Sequence, residues 1–386
     1  MRITAIKPII VNAQMRNWVF VRVETDVGIV GWGEASLEWK THAVAGAIED
    51  LAPFVVGQDP RRIEHLYQIM YRQPFFRAGI VGMSAVSGIE MACWDILGKS
   101  LGRPVYELLG GRVRDSVRLY DHLGGGSMEA VYLTATPEEL CDRARRSLEQ
   151  GFTAIKVLIV PRSSPLEHVD TIRRTARMMQ MLRDELGDSV DIMIDFHGRT
   201  TPATAITYAR ALEPYSPYFI EEPCPPENVE GMVEVARATS IPVATGERLV
   251  TRYQFREFFE KRACAVAQPD ICHCGGLWEA RKIAAMAETY YISVAPHNPL
   301  GPLATAAAIH LDLTTPNFLI QEVFRSDVPW RDEIVTQPLE VRGGHALPPK
   351  GPGLGVEIDE QEAAKHPFQP EHLMRYWHDD GAVADW

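Results

Sequence analysis

Cysteine is scarce in this 386-residue chain, and what there is follows no paired spacing: Cys93, Cys141, Cys224, Cys264, Cys272 and Cys274. That suits reduced thiols in a cytoplasm better than a disulfide framework. Cys272-His273-Cys274 has no second Cys/His pair to complete it, so no zinc centre is expected there. Basic charge is also short. Lys and Arg number 39 against 51 Asp and Glu, a formal net charge of −12. That disfavours a nucleic-acid or anionic-membrane partner, although a bound cation can reverse the field locally for an anionic substrate. No run is expected to be long and apolar enough to cross a membrane. No secretory leader is expected either, because Met1-Arg2-Ile3-Thr4 enters a strand pattern directly. A glycine-rich phosphate loop, the anchor of an open doubly wound sheet, is missing too.

What is present is globular: 46% apolar and 23% charged residues, on a chain long enough for two full cores. Residues 1–34 alternate as a small antiparallel sheet, with a turn at Asp26-Val27-Gly28. The loop at Arg16-Asn17-Trp18 reads as a surface loop or a substrate lid, which makes Trp18 a candidate substrate contact. From Thr41 to Leu109 the spacing turns helical. From Val113 onward, strand-like and helix-like stretches alternate eight times, the rhythm of a (β/α)8 barrel. The expected layout is an α+β capping domain over 1–112 and an α/β barrel over 113–340. A tail over 341–386 should pack back on the cap.

The stretch Ile194-Asp195-Phe196-His197-Gly198-Arg199 organises the chemistry. An apolar strand ends in a carboxylate, and alternation along a continuing strand would turn His197 the same way. Asp195, Glu221, Glu247, Asp270, His297 and Glu322 follow one another at intervals of 26, 26, 23, 27 and 25 residues. One β/α unit is about that long, so each falls at the C-terminal end of its strand, the rim where barrels carry chemistry. Three converging carboxylates, Asp195, Glu221 and Glu247, repel one another strongly when buried. A hard divalent cation such as Mg2+ removes the conflict. The bland alternative is three separate strand-end caps. Asp270 would orient His297 and raise its basicity, making the pair a candidate general base. His197 would stand across the metal as a second proton-transfer group. Lys156 on the second strand could neutralise a carboxylate. Glu322 could hydrogen-bond a forming enediolate or simply cap. Arg199 and Arg248 could buffer the anionic cluster, and Lys156 and Arg199 are also candidate substrate contacts.

These stretches resemble the enolase superfamily, and within it the mandelate racemase-like sugar-acid dehydratases, most of all the D-galactonate dehydratase family. The matching motifs are Asp195-Phe196-His197-Gly198-Arg199, Ile220-Glu221-Glu222-Pro223, Gly246-Glu247-Arg248, Gln268-Pro269-Asp270, Ala295-Pro296-His297 and Gln321-Glu322. Gly31-Trp32-Gly33-Glu34, Gly353-Leu354-Gly355-Val356 and the closing Val383-Ala384-Asp385-Trp386 match as well. The resemblance implies a modified barrel under a cap closed by the tail. It implies Mg2+ on Asp195, Glu221 and Glu247. It implies a His297–Asp270 dyad that takes the proton α to a carboxylate, and His197 protonating the departing 3-hydroxyl. The product would be a 2-keto-3-deoxy acid, formed from an aldonate such as D-galactonate. It also implies a homo-oligomer, because capping loops in that family often complete a neighbour's site.

Two departures bear on the substrate. Racemases of the group carry Lys-x-Lys on the second strand, whereas this chain has Lys156-Val157-Leu158. Leu158 transfers no proton, which favours dehydration over racemisation. The first strand ends in Tyr120-Asp121-His122, and a histidine is not expected there. His122 is therefore a candidate contact to a substrate hydroxyl. The segments from Gly126 to Thr136 and Pro161 to Pro165 also depart from the pattern. The competing functions are epimerisation or cycloisomerisation of a related acid, and a non-catalytic protein that binds Mg2+ and an acid sugar.

Overall fold

The computed structural model describes residues 1–123, 136–325, 327–371, 375–378 and 380–385. The unusual segment 126–135 lies outside them, as does Trp386.

The chain opens with three antiparallel strands, β1 (Ile3–Asn12), β2 (Asn17–Thr25) and β3 (Val30–Glu34), in the order β1-β2-β3. Helices α1 (Thr41–Val55), α2 (Ile63–Arg72), α3 (Gly79–Leu101) and α4 (Val105–Leu108) cover them. α3 lies directly on β3. A Cβ at Gly31 would strike the carbonyl of Ala92, and one at Gly33 that of Gly88. Glycine is required there by close approach, not by a turn. The helix ends at Gly102, whose φ of +63° lets Arg103 N–H return to the carbonyl of Gly98 at 2.9 Å.

α3 corrects one expectation. Its length and mean hydropathy of 1.4 are enough to cross a membrane. However, 78% of its most apolar window is buried inside the protein, and it carries the buried acids Glu90 and Asp95. It is buried on most sides as a core helix, and its few polar side chains are buried with it.

A strand–helix alternation then follows: β4 (Val117–His122), α5 (Pro137–Glu149), β5 (Ala154–Val157), α6 (Val169–Leu186), β6 (Asp191–Asp195), α7 (Pro202–Leu212), β7 (Ile220–Glu221) and α8 (Val229–Ala238). It continues with β8 (Val243–Thr245), α9 (Thr251–Glu260), β9 (Val266–Ala267), α10 (Leu277–Thr289), β10 (Ser293–Val294), α11 (Pro302–Thr314) and β11 (Gln321–Val323). Neighbours from β4 to β10 pair in parallel, and β11 pairs in parallel with β4. This is a TIM-barrel-like sheet with helices outside it. The eighth strand begins later than the sequence suggests: Phe318 makes only an isolated bridge to Val294, and the ladder starts at Gln321.

The tail adds β12 (Val341–Arg342), β13 (His345–Ala346) and α12 (Glu360–Ala363). β13 pairs antiparallel with β4, and residues after it run back over α3 and the N-terminal strands. Asp95 accepts the N–H groups of Trp32 and Leu354 at 2.9 and 2.8 Å. Glu371 accepts Asn17 N–H at 2.9 Å.

Candidate active site

Parallel pairing sets the site's geometry. Asp195 lies opposite Glu221 in the β6–β7 register, and His122 lies opposite Lys156 in the β4–β5 register. Neighbours in register stand at one height, so their side chains meet. One atom each of Asp195, Glu221 and Glu247 lies within 4.8 Å of the others. Asp195 and Glu247 line a cavity of about 350 Å³ whose wall also includes Lys156, His122, His197, His297 and Glu322.

Lys156 is buried among the acids. Its Nζ lies 2.7 Å from Glu322, 2.9 Å from Glu221 and 3.3 Å from Asp195. Gln268 Nε2 donates to the other oxygen of Glu221 at 2.7 Å. Glu322 also accepts Asn298 N–H at 2.9 Å. Burial works to raise Glu322, but Lys156 and His297 outweigh it and hold the carboxyl near about 2. Burial likewise opposes the Asp195 charge, and His197 and Lys156 overcome it, keeping Asp195 well below its usual range. Glu221 goes the other way, raised well above the ordinary value by burial and then by Asp195. Glu247 is pushed up to about 7 by burial and by Glu222, against the pull of His297.

One histidine stands at each end of the carboxylate series. His297 Nδ1 lies 2.7 Å from Asp270 Oδ2, and its Nε2 lies 3.5 Å from Glu247. Burial works against its charge, but Glu247, Asp270 and Glu322 raise it well above the ordinary imidazole value. His197 Nε2 lies 3.2 Å from Asp195 Oδ2, and its N–H donates to Asp195 Oδ1 at 2.9 Å. Burial pulls His197 down, with Asp195 opposing. β6 ends at Asp195, and His197 takes a φ of +51°. The pair therefore meets through a tight local turn rather than strand alternation, a correction to the sequence reading.

The donor set is suited to a metal ion. It is all oxygen, and two of its three acids are destabilised as anions by burial and by neighbouring acids. Buried Glu247 Oε2 accepts no hydrogen bond among the described residues. A hard divalent cation resolves each of these conflicts.

Two family profiles cover this framework. The N-terminal domain of the mandelate racemase / muconate lactonizing enzyme family matches residues 3–110, and the enolase C-terminal domain-like family matches residues 139–362. The chain belongs to the enolase superfamily. A D-galactonate dehydratase of Ralstonia nicotianae is 39% identical over 96% of each chain. A second, from Pectobacterium atrosepticum, is 38% identical over the same shares. A mandelate racemase/muconate lactonizing enzyme from a Sulfitobacter species superposes with a TM-score of 0.91 at 37% identity, covering 100% of both chains.

In this enolase-superfamily site, two expected substrate contacts fall elsewhere. Trp18 is fully buried in a core with Phe20 and Trp330, because β2 turns it away from the cavity. Arg199 donates to the carbonyl of Val160 at 2.9 Å and lines a neighbouring cavity with Ser163, Thr201 and Asn228. Asn17 is spent on the tail, donating to the carbonyl of Gln369 at 2.8 Å. His122 does line the cavity. Burial and nearby Lys156 press it down to about 3, and Nδ1 has no partner among the described residues. Three contributors were not foreseen from the sequence: the Arg16–Glu38 pair at 2.6 Å, Trp39 and His273. Trp39 and Glu38 carry no periodic signal in the sequence. His273 was visible, but only as a rejected zinc ligand.

Proposed function

We propose that the protein is a Mg2+-dependent hydro-lyase that dehydrates a sugar acid, an aldonate such as D-galactonate, to a 2-keto-3-deoxy acid. The observation that carries this reading is the pair of histidines at opposite ends of one carboxylate cluster. Asp195, Glu221 and Glu247 would hold the cation. When bound, Mg2+ would relieve the cluster's pull on the His297 proton and offset the second negative charge gained by the substrate carboxylate as its α-proton leaves.

His297 is the base. Its Nδ1–H is committed to Asp270, which leaves the Nε2 lone pair for the α-proton. His197 is the acid. The C3–O bond breaks, the hydroxyl takes the His197 proton and leaves as water, and the enol ketonises. Lys156 cannot be a second base: bound to three carboxylates, it stays an ammonium. Leu158 offers nothing in its place. One-sided proton transfer favours elimination over epimerisation.

A second reading, epimerisation, is favoured by one observation: His122 is a neutral imidazole in the same cavity. The test of both is a screen of acid sugars with Mg2+, reading 2-keto acid with semicarbazide. A strong hit supports dehydration. No keto acid, but deuterium appearing at Cα of recovered acid in D2O, supports epimerisation.

We also infer that the eight strands β4–β11 close into a modified barrel, on the β11–β4 pairing and the Val294–Phe318 bridge. We propose domain limits of 1–112, 113–340 and 341–386, a division the element order supports. Six buried free cysteines support a reducing cytoplasm. The exposed aromatic pair Phe75 and Phe76 supports a homo-oligomer.

A further inference from the structure

Cys272-His273-Cys274 takes no part in the reaction described so far, yet its middle residue lines the same cavity. His273 Nε2 lies 3.5 Å from Asp270 Oδ2, the oxygen that faces His297 Nδ1 at 2.7 Å. The other Asp270 oxygen accepts Cys272 N–H at 2.7 Å. On its far side, His273 Nδ1 lies 3.1 Å from Ser84 Oγ on α3. Asp270 is therefore flanked by two histidines, and one of them is tied to the cap.

Ser84 begins a polar stripe. Ser87 Oγ accepts Gly275 N–H at 3.0 Å. The Glu90 carboxylate accepts Leu277 N–H at 2.8 Å and Trp278 N–H at 2.9 Å. Residues three apart share a helix face, so these side chains grip one continuous segment, 273–278. The fit is close. A Cβ on Gly275 would fall 2.9 Å from the Met83 methyl, and one on Gly276 would strike the Glu90 carboxylate. The loop that carries Asp270 is thus moulded onto the cap helix.

The Asp270 charge selects how His273 is oriented there. Burial holds it below its usual range, so the ring is neutral and has one N–H. Aimed at Asp270, that N–H meets the carboxylate charge, and Nδ1 shares the one Ser84 hydroxyl proton with the Ile80 carbonyl, which lies 2.9 Å from Ser84 Oγ. The other tautomer sets a lone pair against the carboxylate.

We propose that His273 is a positioning residue for proton transfer: pinned by Ser84 of the cap, it fixes Asp270 Oδ2 and thereby the orientation of the His297 ring. The kinetic arm of the test rests on the dehydratase reading; a spectroscopic arm does not. Both use the full-length protein with Mg2+ and variants whose melting temperature matches the wild type. His273→Asn lowers kcat about tenfold, the usual scale for an outer partner of a reacting group, with KM unchanged. Ser84→Ala, the milder substitution, lowers kcat in the same direction. The low-field proton resonance of His297 Nδ1–H, assigned by its loss in His297→Asn, shifts or broadens in both variants. An unchanged kcat and resonance in folded His273→Asn overturns the proposal. So does a rise in KM alone, which would make His273 a substrate contact. If the wild type converts no sugar acid, the dehydratase reading fails, and the resonance alone decides for or against His273.

Discussion

At the scale of single residues, Lys156 holds the carboxylate cluster together. Its ammonium is the buried cation that three acids share. Removing one partner of a buried ionic cluster costs about 3–5 kcal/mol, because the others are left uncompensated. Lys156→Met therefore melts well below wild type in chelator, and added Mg2+ recovers more stability in the variant than in the wild type. Equal recovery in the two proteins would refute this. Protons give a second check. Glu221 and Glu247 are both raised, Glu247 to about 7, and a ligand must be deprotonated to bind. Metal binding at pH 7 should release protons and weaken as pH falls. Calorimetry in two buffers of different ionisation enthalpy measures the release, and Glu247→Gln should reduce it. The six strand-end residues were legible in the sequence because each β/α unit has nearly the same length. Trp18 and Arg199 were not, because proximity in sequence to a motif says nothing about which way a side chain packs.

At the scale of elements, His310 on α11 shows how helices and tail are pinned. Its Nδ1 accepts Tyr106 N–H at 3.1 Å, and its Nε2–H donates to the Leu354 carbonyl at 3.0 Å. Both contacts require the neutral ring. Burial lowers its folded value to about 4 from 6.5. The sign follows: as pH falls from 6.5 to 4, the unfolded chain takes up the proton and the folded one resists. About 3 kcal/mol of stability is lost over that window. Urea midpoints across that range should show it, and His310→Gln should flatten this part of the curve. The β3–α3 contact makes a steric prediction. Gly33→Ala drives a methyl into the Gly88 carbonyl. It should cost on the order of 1–3 kcal/mol by denaturant titration, as overpacking does. Helices are legible in the sequence: the apolar spacing over Leu277–Thr289 matches the helix found there. Strands were read too long. β7, β9 and β10 are two residues each, since ladder pairing, and not apolar content, decides where a strand stops.

At the scale of the molecule, cap, sheet and tail all reach the cavity. Leu37, Glu38, Trp39 and Lys40 line it from the cap, and Asp385 from the tail. Glu371 of the tail holds that cap segment by accepting Trp39 N–H and the Thr41 hydroxyl. Glu371→Ala should therefore raise KM several-fold while leaving kcat near wild type; a fall in kcat at constant KM would contradict it. The barrel rhythm and the cap were visible along the chain. The meeting of segments some 330 residues apart was not, because no local pattern encodes it. The polar stripe on α3 has a consequence for recombination. Ser84, Ser87 and Glu90 in one half of the gene answer to 273–278 in the other. A chimera that takes a relative's cap for its substrate pocket inherits a foreign seat for Asp270. The smallest exchangeable module is thus discontinuous, and a swap should carry α3 and 270–278 together.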